Sequence, residues 1–303
     1  MSCSKKLPSD EKDGRSIPVK IIANPQAAYA QVSHWRKEGL RIGLVPTMGA
    51  LHAGHISLVR EARALSDVVA TTIFVNPTQF APNEDFSRYP RMLEDDLQLL
   101  KEVQTDLVFT PSAEDMYAPG SSTFVLPPKV SHPLEGQFRP DHFRGVATVV
   151  LKLLNLLPAT IAFFGQKDYQ QCLVIRRMVE ELNVPIRIHI CPTLREADGL
   201  AMSSRNRYLS APQRAAALSL SKALRVAGEH YSAGRSSIAQ IERQMQIDLL
   251  HEGAERIDYA RIVDRETLEP LGDKCDQPAV ALIAAYVGST RLIDNQLLEP
   301  PRA

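Results

Sequence analysis

From about residue 19 to residue 191, short runs rich in Val, Ile and Phe alternate with helical stretches, and this alternation is the strongest constraint on the fold. Residues 41–46 (RIGLVP), 68–75 (VVATTIFV), 106–109, 160–164 and 186–191 have the length and side chains of buried strands. Each run is followed by a polar or Gly-containing turn. Between them, residues 26–38, 55–65, 90–104, 146–157 and 169–181 read as helices. Within 55–65, Leu58, Ala62 and Leu65, with Val59 beside them, form an apolar stripe at helical spacing. The pattern predicts βαβ units, a mainly parallel sheet and a Rossmann-like α/β domain.

After residue 193 the pattern changes to two amphipathic helices, 211–232 and 237–252, followed by strands at 257–263 and 279–287. This predicts a second, smaller α+β domain. A proline and a polar turn at 192–199 mark the hinge, which divides the chain into 19–193 and 194–303. The start, MSCSKKLPSDEKDGRS, has lysines with no apolar run behind them, so residues 1–18 read as a disordered polar tail rather than a signal peptide. The most apolar stretch, 147–164, holds Lys152, Asn155 and Pro158, so it reads as a buried helix and strand rather than a membrane span.

Lys plus Arg equals Asp plus Glu at 35 each, which leaves no overall basic field to gather nucleic acid or an anionic membrane. Any phosphate binding must therefore be local. Cys3, Cys172, Cys191 and Cys275 lack CxxC spacing and suit free thiols in a reducing, cytoplasmic compartment.

Four motifs carry chemistry. In PTMGALHAGH, residues 46–55, a strand ends and a helix begins, which is where α/β sheets bind ligands. Gly49 and Gly54 allow the backbone close to a phosphate, and the helix start points free amides and a positive dipole end at it. His52 and His55, three residues apart, can face the same anion; the bland alternative is that they merely cap the helix. A zinc site would need a third ligand, and none is nearby in sequence. In IFVNPTQF, residues 73–80, Asn76 before Pro77 suits a turn, while the amide of Gln79 offers a donor and an acceptor to a hydroxy acid.

The third motif, FFGQKDYQQ at 163–171, again follows an apolar strand. Lys167 supplies a mobile cation, Asp168 caps the next helix, binds the ribose or orients the lysine, and Gln171 projects from the first turn. The fourth, READGLAMSSRNRYLS at 195–210, places Ser203, Ser204 and Arg205 in a row as a phosphate clamp, or as a polar linker with an N-cap serine.

In this order PTMGALHAGH, NPTQF, RPDHFRGV, FFGQKDYQQ and READGLAMSSRNRYLS resemble the signature of the pantothenate synthetase family, across residues 46–210. The resemblance implies the Rossmann-like fold of HxGH nucleotidyltransferase type and a two-step reaction. Pantoate and ATP give pantoyl adenylate and pyrophosphate; β-alanine then displaces AMP to give pantothenate. Carried onto this sequence, ATP would contact Met48, Gly49, Ala50, Leu51, His52, Ala53, Gly54 and His55. It would also contact Gly165, Gln166, Lys167, Asp168, the backbone at Leu194, and Met202, Ser203, Ser204 and Arg205. His52, His55, Lys167 and Arg205 would act in catalysis, with His55 in the acid position. Gln79 would grip pantoate and lie near β-alanine, Gln171 would grip pantoate, and Asn76, Tyr89 and Arg139 would line the same site. The smaller domain would act as a lid over the intermediate.

Magnesium would ride on the ATP phosphates without assigned protein ligands, although Asp95 and Asp96 are candidates if they are not an exposed helix face. A homodimer is also implied, and partners would be small molecules rather than nucleic acid or membrane. Two departures stand out: Gln166 where a glutamate is usual before the lysine, and Asp141 where a glycine is usual in RPGHF. The rival readings are a nucleotidyltransferase acting on a phosphate acceptor, a tRNA synthetase, and a nucleotide sensor without turnover. The first would want more cations than Gln79 and Gln171 provide, the second a basic RNA-sized surface, and the third would not need His52, His55, Lys167 and Arg205 all intact.

Overall fold

A computed structural model describes residues 19–82 and 84–301, so the expected polar tail, Cys3 included, lies outside the described residues. Among the described residues, nine strands run in chain order: β1 Lys20–Ile22, β2 Ile42–Thr47, β3 Val68–Ile73, β4 Leu107–Phe109, β5 Ile161–Gly165, β6 Arg187–Cys191, β7 Arg256–Asp264, β8 Ala279–Val287 and β9 Thr290–Leu298. Interleaved with them are the helices α1 Pro25–Lys37, α2 Ala53–Leu65, α3 Leu93–Glu102, α4 Ala113–Met116, α5 Glu135–Phe138, α6 His142–Leu156, α7 Tyr169–Glu181, α8 Ala211–Ala233 and α9 Ile238–His251.

Strands β1–β6 form one sheet in the order β1-β4-β3-β2-β5-β6, with every pairing parallel. Side chains alternate across it. Ile42, Leu44, Ala162 and Phe164 join the core formed with α1, α6 and α7, while Val45, Ile161 and Phe163 join the opposite core with α2 and α3. Helices therefore cover both faces, as the unbroken apolar runs of these strands require.

The small sheet is antiparallel, with β8 between β7 and β9. The sequence AVALIAAYV shows no polar alternation because both faces of β8 are covered. Ala281, Ile283, Ala285 and Val287 pack under α8 and α9, and Val280, Leu282 and Ala284 belong to the same core as Phe143, Tyr169 and Leu173 of the large unit. The fold class agrees with the reading from sequence, and the small sheet shares a core with the large one.

Several boundaries move. Helix α6 begins at His142, a turn before the expected start, and α3 begins at Leu93 rather than residue 90. Strands β1 and β9 had no sequence signal: β1 has three residues, and β9 carries Arg291, Asp294 and Asn295 on partly or fully buried positions. Among the described residues, Cys172, Cys191 and Cys275 are buried free thiols, and no helix is long and apolar enough to cross a membrane.

Candidate active site

Strand β2 ends at Thr47, and the chain turns through left-handed backbone at Gly49 (φ 78°) and Ala50 (φ 50°) before entering α2. Asp96 of α3 holds this turn, accepting from the amides of Ala50 at 2.9 Å and Leu51 at 2.7 Å. Asp96 is buried and its oxygens are engaged by these amides, so it is neither an exposed helix face nor a free metal ligand; Asp95 beside it is exposed. The amphipathic turn hides one acid and shows the other.

His52 is the N-cap of α2, its Nδ1 accepting from the Gly54 amide at 3.1 Å. That bond places the ring proton on Nε2 and leaves it free to donate. Gly54 is required by close approach, since a Cβ there would lie 2.9 Å from His52 Nδ1. Capping and facing the cavity are thus both true of His52. Its ring stacks at 4.1 Å between centroids, tilted by 38°, on that of His55. The buried Nδ1 of His55 has no hydrogen-bond partner among the described residues. Burial, with Lys167 adding to it, lowers the pKa of His52 to about 4. Burial, then His52 and Lys167, lowers that of His55 to about 3. Both imidazoles are neutral at pH 7.

The second motif forms a 3₁₀ turn, Pro77–Gln79, capped by Asn76. Asn76 is fully buried: its Oδ1 accepts from Thr78 Oγ1 and Tyr117 Oη at 2.9 Å each, and its Nδ2 donates to Gln79 Oε1 at 3.1 Å and to Gly145 O at 3.2 Å. It shapes the turn. Gln79 is pinned through its own carbonyl, which accepts from His142 Nδ1 at 2.9 Å, while its Nε2 lies 3.1 Å from Met48 Sδ. Helix α6 lies so close to the turn that a Cβ on Gly145 would sit 2.3 Å from Thr78 O.

After β5, residues 166–168 make another 3₁₀ turn leading into α7. Asp168 makes no side-chain cap; its Oδ1 lies 3.5 Å from Lys167 Nζ, in keeping with the lysine-orienting alternative. Ser203 caps the turn Ser204–Tyr208, and Ser204 Oγ is 3.5 Å from Tyr89 Oη. Arg205 is held by Asp85 through two bonds of 3.0 and 3.2 Å. Arg139 is held by Glu84 at 2.6 and 2.7 Å and approaches Glu135 at 3.6 Å. Both cations are therefore paired with acids of one segment, residues 84–85, to which no role was assigned from sequence. Their guanidinium partners hold the Glu84 and Asp85 carboxyls below the usual carboxylate range despite burial.

Strand order explains why these loops meet. It reverses between β2 and β5, and the turns after β2, β3, β5 and β6 leave the same edge of the sheet. A cavity of about 860 Å³ opens there. It is lined by Met48, His52, Gly54, His55, Asn76, Gln79, Tyr89, Arg139, Gly165, Lys167, Asp168, Gln171, Leu194, Met202, Ser203, Ser204 and Arg205. Gly49, Ala50, Leu51, Ala53 and Gln166 do not line it. Ala50 and Leu51 are buried behind the wall, while Ala53 is exposed.

Sequence reasoning passed over Asp85, His142 and Asn295, and weighed Asp96 only as a magnesium ligand or part of an exposed helix face, whereas it holds the turn after β2. The histidine of RPDHF was visible within a quoted motif; the others act through contacts that span tens of residues or more.

A family model for pantoate-beta-alanine ligase matches residues 20–297 of this chain. The chain belongs to that family. It is 53% identical over 281 residues to the pantothenate synthetase of Moorella thermoacetica, covering 93% of this chain and 99% of that relative. The pantothenate synthetase of Thermotoga neapolitana is 52% identical over 280 residues, covering 92% and 100%. The crystal structure of pantothenate synthetase from Thermus thermophilus superposes with a TM-score of 0.87 at 42% identity, covering 93% of this chain and all (100%) of that one. A pantoate-beta-alanine ligase from Francisella tularensis, complexed with beta-gamma ATP and beta-alanine, superposes with a TM-score of 0.76 at 35% identity, covering 92% and 98%. Both likenesses extend over more than nine-tenths of this chain.

Proposed function

We propose that this protein condenses pantoate with β-alanine at the expense of ATP, through pantoyl adenylate. The observation that carries the reading is the meeting of His52, His55, Gln79, Gln171, Lys167 and Arg205 around one cavity in a chain of this family. In the first step a pantoate carboxylate oxygen attacks the α-phosphorus, and the bond to the bridging oxygen breaks as pyrophosphate leaves. In the second, the β-alanine amine attacks the acyl carbon, the C–N bond forms, AMP leaves with the C–O electron pair and the amine loses a proton.

Each group has a task in this scheme. Gln79, with its backbone pinned by His142 and its side chain bonded to Asn76, presents an amide to pantoate, and Gln171 faces it from α7. Tyr89 and Arg139 complete that wall. The neutral rings of His52 and His55 donate N–H bonds to phosphate oxygens and carry no charge of their own until the triphosphate raises their proton affinity. His55 therefore begins as a hydrogen-bond donor rather than as a charged acid. Lys167 follows the charge that builds as pyrophosphate departs, and Arg205 exchanges Asp85 for phosphate. The backbones of Gly165 and Leu194, with Met202, Ser203 and Ser204, form the nucleotide wall.

Magnesium would enter on the ATP phosphates, where it would neutralise part of their charge. The division into 19–193 and 194–303, a homodimeric state and a cytoplasmic home belong to the same reading. Mass spectrometry of the product from ATP, pantoate and β-alanine, together with pyrophosphate release from ATP and pantoate alone, tests it. Pantothenate and AMP are expected, and ATP binding with no pyrophosphate would leave a nucleotide-binding protein without turnover.

A further inference from the structure

The backbone carbonyls of the turn that carries Lys167 are held by a side chain of the small sheet. Asn295, in the middle of β9, donates through Nδ2 to the carbonyl of Gln166 at 2.9 Å and to that of Lys167 at 2.8 Å. Two carbonyls facing one amide fix which end is nitrogen. The Oδ1 then needs a donor, and Gln166 Nε2 supplies it at 3.3 Å. The side chain is 3% exposed, so water is a poor substitute. Next to it, Asp294 accepts two bonds from Arg195, at 2.7 and 3.0 Å, beside Leu194 of the nucleotide wall. Two consecutive residues of β9 therefore clamp two separate parts of the cavity rim.

We infer that Asn295 is a positioning residue for adenylate formation: by holding the backbone of the 166–168 turn, the small sheet sets where Lys167 delivers its charge. The inference rests on the reading of the cavity given above. A 3₁₀ turn of three residues has few bonds of its own, and Lys167 has a long, flexible stem, so the origin of that stem decides its reach. Loss of the clamp removes both side-chain bonds to the turn's backbone and lets the turn relax. A displacement of about 1 Å at a catalytic group costs up to about a hundredfold in rate. The second step, attack of an amine on an acyl carbon, calls less on Lys167.

The test compares Asn295→Leu, similar in size and without polar atoms, and Asn295→Ala with the unaltered protein in the two half-reactions. Pyrophosphate release at saturating ATP and pantoate is expected to slow about ten- to a hundredfold in either folded variant. Pantoate KM, and single-turnover transfer from preformed pantoyl adenylate to β-alanine, are expected to stay within threefold. A purely structural role would instead lower melting temperature and scale both half-reactions together. Equal losses in the two, or adenylation within twofold of the unaltered rate in both folded variants, would overturn the inference. If the unaltered protein itself releases no pyrophosphate, the reading of the cavity fails and takes this inference with it.

Discussion

His52 and His55 show how one residue type does two jobs in adjacent turns. His52 spends Nδ1 on its own helix and keeps Nε2 for the cavity, whereas His55 keeps a buried nitrogen without a protein partner. A buried unpaired nitrogen is costly unless something else fills the bond. Replacing His55 with Ala is expected to slow pyrophosphate release about 10²- to 10³-fold, the usual loss for one transition-state donor, with the fold intact. Stopped assays of pyrophosphate in a variant of unchanged melting temperature measure this, and unaltered turnover would remove His55 from the reaction. At the same scale, Asp96 is a buried anion bonded to two backbone amides. Asp96→Ala strands both donors and should cost on the order of 2–3 kcal/mol of stability, read by denaturant unfolding. Calorimetry should also show weaker ATP binding, because the turn from Gly49 to Leu51 aims His52.

Between elements, one tight constraint is the contact of α6 with the 77–79 turn. Gly145 is there because the turn's backbone occupies the space a side chain would need. Gly145→Ala should push the helix and turn apart and cost about 1–3 kcal/mol, as overpacking commonly does. Since Asn76 and Gln79 ride on that turn, pantoate affinity should fall further than ATP affinity, which parallel titrations of the two ligands would reveal. Equal losses for both would mean that the turn does not belong to the hydroxy-acid side of the cavity.

Across the whole molecule, neutral buried histidines and a buried carboxylate network set the acid limit. Burial, with Arg139 nearby, lowers the pKa of His142 to about 4, and His55 lies at about 3. In the unfolded chain these groups titrate near 6.5, so as pH falls below that value the unfolded state takes up protons that the folded state refuses. Stability should therefore drop from about pH 6.5 downward, by up to about 1.4 kcal/mol per pH unit for each of these two rings, until their folded pKa values are reached. Half-buried His52 adds a smaller share. Glu135, which bonds Arg291 of β9 and Tyr259 of β7, has its pKa lowered to about 2 despite burial, with Arg291 as the largest favourable influence. Its contribution is present above the ordinary carboxylate range and is lost as pH falls through that range towards 2, which steepens the same limb. Urea midpoints at pH 7.5, 6 and 5 should decline in order, and His142→Phe should flatten the decline; a level profile would mean that these rings are solvated.

The chain's local patterns determined the parallel sheet, the helices around it and the strand ends at which chemistry could occur. Strand length and helical period are written over a few residues, so α7 and β8 were read to their ends and the HxGH and GQKDYQQ turns were legible as strand-end turns, which the structure brings to one cavity. What only the tertiary structure decided are contacts whose partners are far apart along the chain. Asp96 holds a turn 45 residues away, Asp85 pairs with Arg205 across 120 and Asn295 reaches Lys167 across 128. Asp96 and Asn295 look like surface residues in sequence because a polar side chain carries no local sign of being buried. Their burial is stable only because the folded backbone brings amides or carbonyls to meet them, and that complementarity exists nowhere until the chain has closed on itself.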